Sequence, residues 1–314
     1  MHNLEKMRVC FVGVGSIAKR HIRNLRTICD ERKIDLTVDA FRRQEGSVEG
    51  IDSVFTQYDQ VPNNYDAIFI TNPTDHHLEA LKLFHNNGKN FFVEKPVVAL
   101  SQIADAEKME LRDDAVYYVA SPLRYNAVIQ FLKDNIRIED VISVRSISSS
   151  YLPNWRPGQD YRQVYSAHKE MGGGVSIDLI HEWDYLTFIF GWPQKIKSFI
   201  GKKSKLEIDS DDYALYIAEY ANMVAELHLD YFGRKSIREV QIFTGKDTIV
   251  GDLLNQEVYY LCSEEKLKFY EERDDYQKRE LDHFLDLIEK RETSENGYWH
   301  GLRVLKLTQG ELEG

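Results

Sequence analysis

Residues 9–18 combine a short apolar run with two glycines one residue apart, in the order Val-Cys-Phe-Val-Gly-Val-Gly-Ser-Ile-Ala. An apolar run of this length, followed by residues at helical spacing, is typical of a strand, a turn and a helix. Gly13 permits a tight turn, Gly15 lets the backbone approach a phosphate, and Ala18 lets the helix pack closely on the sheet. We therefore predict a dinucleotide-binding turn, with an ordinary glycine-rich turn as the alternative. The residues expected to hold the cofactor here are Gly13, Gly15, Ser16, Ile17 and Ala18.

The end of the second predicted strand, residues 36–41, bears on the choice between NAD and NADP. An acidic residue at this point normally binds the ribose of NAD. Here Arg42 and Arg43 follow the strand, whereas Asp39 lies two residues inside it. Two arginines suit the 2′-phosphate of NADP, so we expect NADP as the preferred cofactor and NAD as the alternative. Both arginines could instead lie in a solvated surface loop.

Glu94, Lys95 and Pro96 follow another predicted strand, residues 90–93. Hydride transfer from a carbinol carbon needs a protein group that takes the hydroxyl proton. A lysine at the bottom of a cleft can exchange that proton in both directions of the reaction, and we expect Lys95 to do so. The alternative is a surface lysine held rigid by Pro96.

A further set of chemical groups follows the three glycines at 172–174. On one helix that starts near Gly174, residues 178, 181, 182 and 185 fall within an arc of about 100°. The resulting polar face has no Lys or Arg, which a solvated face usually contains. We predict that Asp178 and His181 are catalytic, with His181 as an acid/base and substrate-oxygen contact and Asp178 orienting either His181 or Lys95. Tyr185 is expected to contact the substrate, and the alternative is the solvated face of an amphipathic helix.

Residues 151–162 form a polar segment rich in aromatic residues. Trp155 and Tyr161 could stack on a pyranose ring, and Arg156 could bind hydroxyls, a carboxylate or a phosphate. We expect this segment to contribute to substrate specificity, with a structural or subunit-contact loop as an equal alternative.

Two regions of different pattern would position these residues. In residues 1–122, short apolar runs alternate with segments at helical spacing, which predicts a dinucleotide-binding domain with a doubly wound parallel sheet of the Rossmann type. In residues 123–314 we predict a substrate-binding α+β domain with a large, mainly antiparallel sheet, and we expect its C-terminal helices to pack back on the first domain. The predicted strands are residues 8–12, 36–41, 67–71, 90–93, 117–120, 141–151, 196–201, 213–220, 223–232, 239–244 and 248–253. Helices are predicted near residues 17–29, 78–84, 127–133, 276–290 and 302–307.

The composition argues against several classes of function. The 314 residues include 40 basic and 51 acidic side chains, a formal net charge of −11, so we expect no nucleic-acid partner. Cys10, Cys29 and Cys262 are far apart and show no metal-ligand spacing, so we expect neither a disulfide framework nor a metal site. No apolar stretch approaches the roughly 18 residues of a membrane span, and no signal-peptide pattern is present. We expect a cytoplasmic enzyme without a membrane partner.

The order of these motifs resembles the glucose–fructose oxidoreductase / inositol dehydrogenase / MocA (Gfo/Idh/MocA) family over nearly the whole chain. The Glu-Lys-Pro at 94–96, about eighty residues after the glycine turn, is similar to a mark of that family. The resemblance also covers Thr71-Asn72-Pro73 with His77 as a turn beside the nicotinamide ribose, Arg124-Tyr125 at the domain junction, Gly172–Gly174 with Asp178 and His181, and the closing helix with Gly301. It implies that Thr71, Asn72, Pro73, His77, Glu94 and Lys95 contact the cofactor, and that Arg124 joins Lys95 and His181 at the substrate. One spacing departs from the family, because two residues separate Asp178 from His181 where three are usual.

These observations predict an NAD(P)-dependent dehydrogenase or reductase that acts on a carbinol or keto carbon of a sugar, nucleotide sugar, sugar acid or cyclitol. The resemblance implies a homodimer or homotetramer. Two alternatives remain open, a dihydrodiol or amino-acid-pathway reductase of related architecture and a non-catalytic dinucleotide-binding sensor. The first would present other catalytic residues, and the second would bind the cofactor without turnover.

Overall fold

The structure is a computed structural model that describes residues 4–290, 292 and 294–312. Internal contacts divide the chain into two compact units. The first unit comprises the chain up to Pro122 together with Arg273–Leu302, and the second comprises Leu123–Glu272 together with the chain from Arg303 onward. The functional division at residues 1–122 and 123–314 stays a prediction, because contacts alone do not say which ligand each unit binds.

The first unit contains a parallel sheet of six strands. They are β1 (Lys6–Val12), β2 (Asp35–Phe41), β3 (Ser53–Phe55), β4 (Tyr65–Ile70), β5 (Gly88–Val93) and β6 (Tyr117–Val119). Their order is β3-β2-β1-β4-β5-β6, so the chain reverses its direction across the sheet between β1 and β4. Ligands of open α/β sheets bind at such a reversal, outside the carboxyl ends of the strands. Here those ends are Val12 and Ile70, which pair with each other.

The helices of the first 122 residues are α1 (Ser16–Arg32), α2 (His77–Leu83) and α3 (Ile103–Ala106). Apolar residues recur every three or four positions along α1, and the face that they form is buried. This face shares one core with Phe11, Phe69 and Phe92 of the sheet. The core therefore fixes the start of α1 at the end of β1.

The second unit contains helices α4 (Ala127–Asn135), α5 (Val175–Asp178) and α6 (His181–Phe190) and a sheet of eight strands. The strands are β7 (Val141–Tyr151), β8 (Lys195–Gly201), β9 (Tyr213–Glu219), β10 (Val224–Asp230), β11 (Phe232–Thr244), β12 (Thr248–Asp252), β13 (Glu257–Tyr260) and β14 (Lys266–Lys268). Their order is β14-β13-β12-β11-β7-β10-β9-β8, and all neighbours are antiparallel except β7 and β10. The fold class predicted from the sequence is confirmed.

Some predicted boundaries are wrong. Residues 223–232 are not one strand, because β10 ends at Asp230 and β11 begins at Phe232. The short strands β3, β13 and β14 have too few residues to show a period of two, and the sequence pattern did not indicate them.

The two C-terminal helices are α7 (Arg273–Lys290) and α8 (Tyr298–Leu307). Helix α7 packs beside α1 within the first unit, where Arg32 of α1 donates hydrogen bonds to Asp282 and Asp286 at 2.7 Å. Phe284 of α7 lies edge-on to Phe69, with ring centres 5.8 Å apart. A segment distant in sequence thus completes the core beneath α1.

Candidate functional site

The glycine turn lies at the carboxyl end of β1. Gly13 has a φ of +86°, which favours glycine, and a Cβ at this position would lie 2.6 Å from the Cα of Asn72. The hydroxyl of Thr71 donates a hydrogen bond to the carbonyl of Gly13 at 2.7 Å. Gly13 is therefore required both by the turn and by the close approach of the chain at Asn72.

The space beside Gly15 is open, since a Cβ built there would meet no atom within 4 Å. No side chain among the described residues caps the start of α1. The N–H groups of a first helical turn have no partner within the helix, so they are left to face a ligand. Ser16 is exposed, Ile17 is half-buried and Ala18 is buried against the core. This arrangement fits the pyrophosphate of a dinucleotide.

A cleft of about 440 Å³ opens beside this turn. Gly13, Arg42, Arg43, Asn72 and Pro73 all line it, so the structure brings together residues predicted from three separate segments. The volume lies within the range of ordinary cofactor and ligand pockets, roughly 300–1,000 Å³.

The carboxylate of Asp39 is bound by other side chains and is not free to bind a ligand in this cleft. It is fully buried in β2, and its Oδ2 accepts hydrogen bonds from Nε and Nη2 of Arg8 at 3.0 and 2.7 Å. The hydroxyl of Tyr65 donates to the same oxygen at 2.8 Å. Turning Asp39 toward a ribose would break these three hydrogen bonds to Oδ2, which is costly for a buried carboxylate.

His77 ties two of the predicted cofactor segments together. Its ring is buried, with Nδ1 3.0 Å from the carbonyl of Pro96 and Nε2 3.0 Å from the carbonyl of Asn72. Burial lowers the pKa of His77, although the two carbonyls oppose that shift. The imidazole therefore positions the two turns, and the cofactor contact of His77 that the resemblance implies stays a prediction.

The Glu94-Lys95-Pro96 turn follows directly after β5, and the Lys95–Pro96 peptide is cis. The Glu94 N–H donates to the carbonyl of Ile70 at 2.9 Å, so the turn begins beside the end of β4. The Glu94 carboxylate accepts a hydrogen bond from Nε2 of His21 at 2.5 Å. Lys95 is half-buried at this edge of the first unit.

The segment after the three glycines is not one helix, and this prediction is wrong. Helix α5 ends at Asp178 and α6 begins at His181, with Leu179 out of helical geometry at φ −98° and ψ +30°. The expected polar face is also not solvated, because Asp178 and Tyr185 are buried. The arc calculated for a continuous helix therefore does not describe how these side chains are arranged.

Asp178 sits in a buried hydrogen-bonded cluster of the second unit. Tyr231 donates a hydrogen bond to its Oδ2 at 2.5 Å. Burial and then the charge of Asp178 raise the pKa of the nearby Tyr165. Burial and then the charge of Asp178 raise the pKa of Tyr231, so its phenol stays protonated as a donor. Burial also raises the pKa of Asp211, which caps the start of α5 by accepting the Ser176 N–H at 2.9 Å.

The 151–162 segment packs on the same tyrosines. The indole of Trp155 meets Tyr231 edge-on with ring centres 5.2 Å apart, and its N–H donates to Ser150 at 2.8 Å. The guanidinium carbon of Arg156 lies 5.4 Å from the ring centre of Tyr165. The cavity enclosed by this segment is only about 10 Å³, room for about one water. A sugar could therefore meet this segment at its outer surface but not inside it.

Tyr161 of the same segment accepts a hydrogen bond from the Glu207 N–H at its hydroxyl, at 3.2 Å. This contact links the segment to the chain before β9, and it leaves the ring face and the hydroxyl proton of Tyr161 available, so its predicted substrate contact stays a prediction.

Two predicted substrate residues, Arg124 and Tyr185, make structural contacts. The buried Arg124 donates from Nε and Nη2 to the two carboxylate oxygens of Asp184, at 2.9 and 2.8 Å. The hydroxyl of the fully buried Tyr185 shares a hydrogen bond with Ser146 at 2.8 Å. These contacts fix both side chains in the second unit, and their substrate contacts stay predictions. His181 remains half-buried at the start of α6.

Residues 7–120 match the model of an oxidoreductase family with an NAD-binding Rossmann fold, GFO_IDH_MocA. Residues 130–250 match the C-terminal domain of GFO/IDH/MocA proteins. The chain belongs to the GFO/IDH/MocA oxidoreductase family. A comparison with curated proteins found no match.

Solved structures share the fold of this GFO/IDH/MocA oxidoreductase along almost the whole chain. Levoglucosan dehydrogenase in complex with NADH has a TM-score of 0.84 at 14% identity, over 97% of this chain and 95% of that one. The myo-inositol 2-dehydrogenase from Lactobacillus plantarum has a TM-score of 0.76 at 19% identity, over 97% and 95%. The UDP-N-acetylglucosamine 3-dehydrogenase from Acidithiobacillus ferrooxidans has a TM-score of 0.74 at 20% identity, over 97% and 96%.

Sequence reasoning missed several polar residues of this GFO/IDH/MocA oxidoreductase. Tyr231, which donates to Asp178, lies between two strands, and Tyr165 begins a short 3₁₀ helix, Tyr165–Ala167. His21, which binds Glu94, lies on the apolar face of α1, and no motif singles it out. A polar ring at a buried helical position was the available signal for His21, and no comparable signal marks the tyrosines.

Among the residues that the structure describes, no three His, Cys, Asp or Glu side chains are grouped as metal ligands. No helix in the described ranges has the length and apolar character needed to cross a bilayer.

Proposed function

We propose that this oxidoreductase moves a hydride between NADP(H) and a carbinol or keto carbon of a sugar, nucleotide sugar, sugar acid or cyclitol. The family match supplies the reaction class. The substrate class is supported by the solved relatives, which are named for an anhydrosugar, a cyclitol and a nucleotide sugar.

The preference for NADP over NAD rests on one observation, the burial of Asp39 in its pair with Arg8. Because Asp39 is bound to Arg8, the charged residues at the end of β2 that line the cleft are Arg42 and Arg43. A 2′-phosphate would gain charge-assisted hydrogen bonds from them, whereas the ribose hydroxyls of NAD would find no free carboxylate at the end of β2. The carboxylate that lines this cleft, Glu79, belongs to α2.

In this proposal the bound dinucleotide supplies the hydride acceptor for oxidation and the hydride donor for reduction. Lys95, as the neutral amine, takes the hydroxyl proton while the C–H bond breaks and the C=O bond forms. In the opposite direction the ammonium of Lys95 returns that proton to the carbonyl oxygen. Gly15 and the N–H groups that begin α1 hold the pyrophosphate.

We assign His181 as a second contact to the substrate oxygen and Asp178 as the residue that positions it. Asp178 precedes the break between α5 and α6, and His181 follows it, so the fixed carboxylate restrains the turn that carries the imidazole. The hydrogen bond from Tyr231 holds that carboxylate in place. Trp155 and Arg156 are retained as specificity residues at the surface of their segment.

The test is a fluorescence titration with NADPH and NADH, followed by turnover with a panel of oxidised sugars, cyclitols and nucleotide sugars. We expect tighter binding of NADPH and oxidation of NADPH by a panel member. Replacing Arg42 and Arg43 together by alanine should reverse the preference, whereas Lys108→Ala, an exposed lysine outside the cleft, should not.

Equal affinity for the two cofactors would refute the NADP assignment. Turnover only with a dihydrodiol or an amino-acid-pathway intermediate would refute the sugar class. Cofactor binding without turnover of any panel member would favour the non-catalytic sensor.

We also propose a cytoplasmic homodimer or homotetramer that associates through the open face of the eight-stranded sheet. Phe199, Ile217 and Val224 of adjacent strands are exposed on that sheet. The three cysteines are free thiols, as in a reducing compartment. Sedimentation analysis of Phe199→Glu should show smaller particles than the wild type, and unchanged particles would refute this interface.

A further inference from the structure

One polar ring lies within the apolar core of the first unit. His21 is on the buried face of α1, where its neighbours along the helix include Ile22 and Leu25. Its ring meets Phe92 edge-on, with ring centres 5.1 Å apart. A phenylalanine would fill a similar volume without the cost of removing a polar group from water. Core packing alone therefore does not account for a histidine at this position.

The polar contact of His21 is directed at Glu94. Nε2 donates to the Oε1 of Glu94 at 2.5 Å, a short charge-assisted hydrogen bond. Nδ1 is buried and makes no hydrogen bond with any residue that the structure describes. The N–H of the His21 ring is thus directed at the side-chain carboxylate of Glu94, the residue immediately before Lys95.

Glu94 also binds the main chain of the Glu94-Lys95-Pro96 turn. Its second oxygen, Oε2, accepts the backbone N–H of Lys95 at 3.2 Å. Burial alone would raise the pKa of Glu94, but the hydrogen bond from His21 and the charge of Lys95 outweigh it and lower the pKa. The side chain is therefore an ionised acceptor, with one oxygen bound to α1 and the other to the main chain of the lysine.

We propose that His21 is a positioning residue for Lys95, which acts through Glu94 to fix the lysine turn against the helix that begins at the glycine turn. The proposal rests on the proposed role of Lys95 as the proton-exchanging group. Helix α1 thus carries two features of the site, the ligand-facing N–H groups at its start and His21 about one turn later. Replacing His21 changes the second feature and leaves the first in place. A shift of the lysine turn should then reduce turnover more than cofactor binding.

The test compares His21→Phe with His21→Gln. Phenylalanine preserves volume and removes the donor, whereas the glutamine amide can place an N–H near the position of Nε2. Ile28→Val, on the same buried face of α1, is the control for loosened packing without a polar change. Each protein is assayed for kcat, substrate KM and NADPH dissociation constant, at a temperature where all four are folded.

We expect His21→Phe to lower kcat by about tenfold to a hundredfold, the range for a catalytic group displaced by about an ångström. Its NADPH dissociation constant should change by less than about threefold. His21→Gln should recover most of the lost kcat, and Ile28→Val should match the wild type. A wild-type kcat in His21→Phe, or equal losses in the phenylalanine and glutamine variants, would overturn the proposal.

Hydrogen exchange of the peptide that contains Lys95 gives a readout that needs no turnover. We expect faster exchange there in His21→Phe, and exchange close to wild type in His21→Gln and Ile28→Val. Equal exchange in all proteins would overturn the proposal. If the wild type turns over no substrate while the exchange pattern is as expected, the proposed function fails and the positioning of the turn by His21 stands.

Discussion

Alanine should destabilise the protein far more at Gly13 than at Gly15, although the two glycines belong to one motif. At Gly13 the backbone has a φ of +86°, and a Cβ would lie 2.6 Å from the Cα of Asn72, where ordinary contacts are 3.4–4 Å. Left-handed alanine costs about 1–2 kcal/mol, and overpacking against backbone adds about 1–3 kcal/mol. We therefore expect Gly13→Ala to lower the free energy of unfolding by about 2–5 kcal/mol.

At Gly15 the backbone is extended, with φ −90° and ψ −167°, and a Cβ would meet no atom within 4 Å. Alanine adopts this conformation without strain and reduces the entropy of the unfolded chain, which favours folding by about 0.4–1 kcal/mol. Because alanine is a poorer N-cap than glycine, this gain is offset, and Gly15→Ala should change the free energy of unfolding by less than about 1 kcal/mol. The added methyl would occupy the space proposed for the pyrophosphate. The affinity for NADPH should then fall by at least about tenfold, or 1.4 kcal/mol.

Urea unfolding measures the free energy of unfolding of both variants, and fluorescence titration measures their affinity for NADPH. Two results would refute the reasoning. If Gly15→Ala is as destabilising as Gly13→Ala, the open space beside Gly15 is not available to a side chain. If Gly15→Ala binds NADPH as tightly as the wild type, the phosphates do not lie there, and the proposed cofactor site is wrong.

Further predictions concern the buried polar groups. Tyr231→Phe removes a donor from the buried carboxylate of Asp178 and should lower the free energy of unfolding in urea by about 1.5–3 kcal/mol. Tyr216→Phe loses a hydrogen bond to a main-chain carbonyl and should lower it by only about 1 kcal/mol. Equal losses in the two variants would contradict a charge-assisted hydrogen bond at Asp178. Because the pKa of Glu94 is lowered on folding, its ionisation stabilises the fold fully above the unfolded pKa of about 4.3, and this contribution is lost as pH falls through the folded pKa. The stability difference between wild type and Glu94→Gln should therefore shrink between about pH 6 and about pH 3, and a constant difference would argue against an ionised carboxylate. Lys95→Met should lower kcat by at least about a hundredfold with little change in NADPH affinity, and a smaller loss in single-turnover assays would remove Lys95 from proton exchange.

The local parts of the site could be predicted from the sequence because their signals lie within one turn or one element. The glycine turn after β1, the arginines after β2 and the turn after β5 are marked by residue types a few positions apart. Strand and helix periods of two and about 3.6 residues then predicted the parallel and antiparallel sheets. The prediction of one polar helix face after Gly174 was wrong, because the spacing assumed a continuous helix. The chain leaves helical geometry at Leu179.

Only the tertiary structure decided which polar groups are available for chemistry. Asp39 is bound by Arg8 31 residues away, Asp178 by Tyr231 53 residues away, and Glu94 by His21 73 residues away. No period along the chain relates residues at such separations. Buried polar groups must find partners wherever the fold brings donors and acceptors together, because an unpaired group in the core costs more than a hydrogen bond returns. The sequence therefore determined the kinds of groups at the site, and long-range packing determined which of them a ligand can meet.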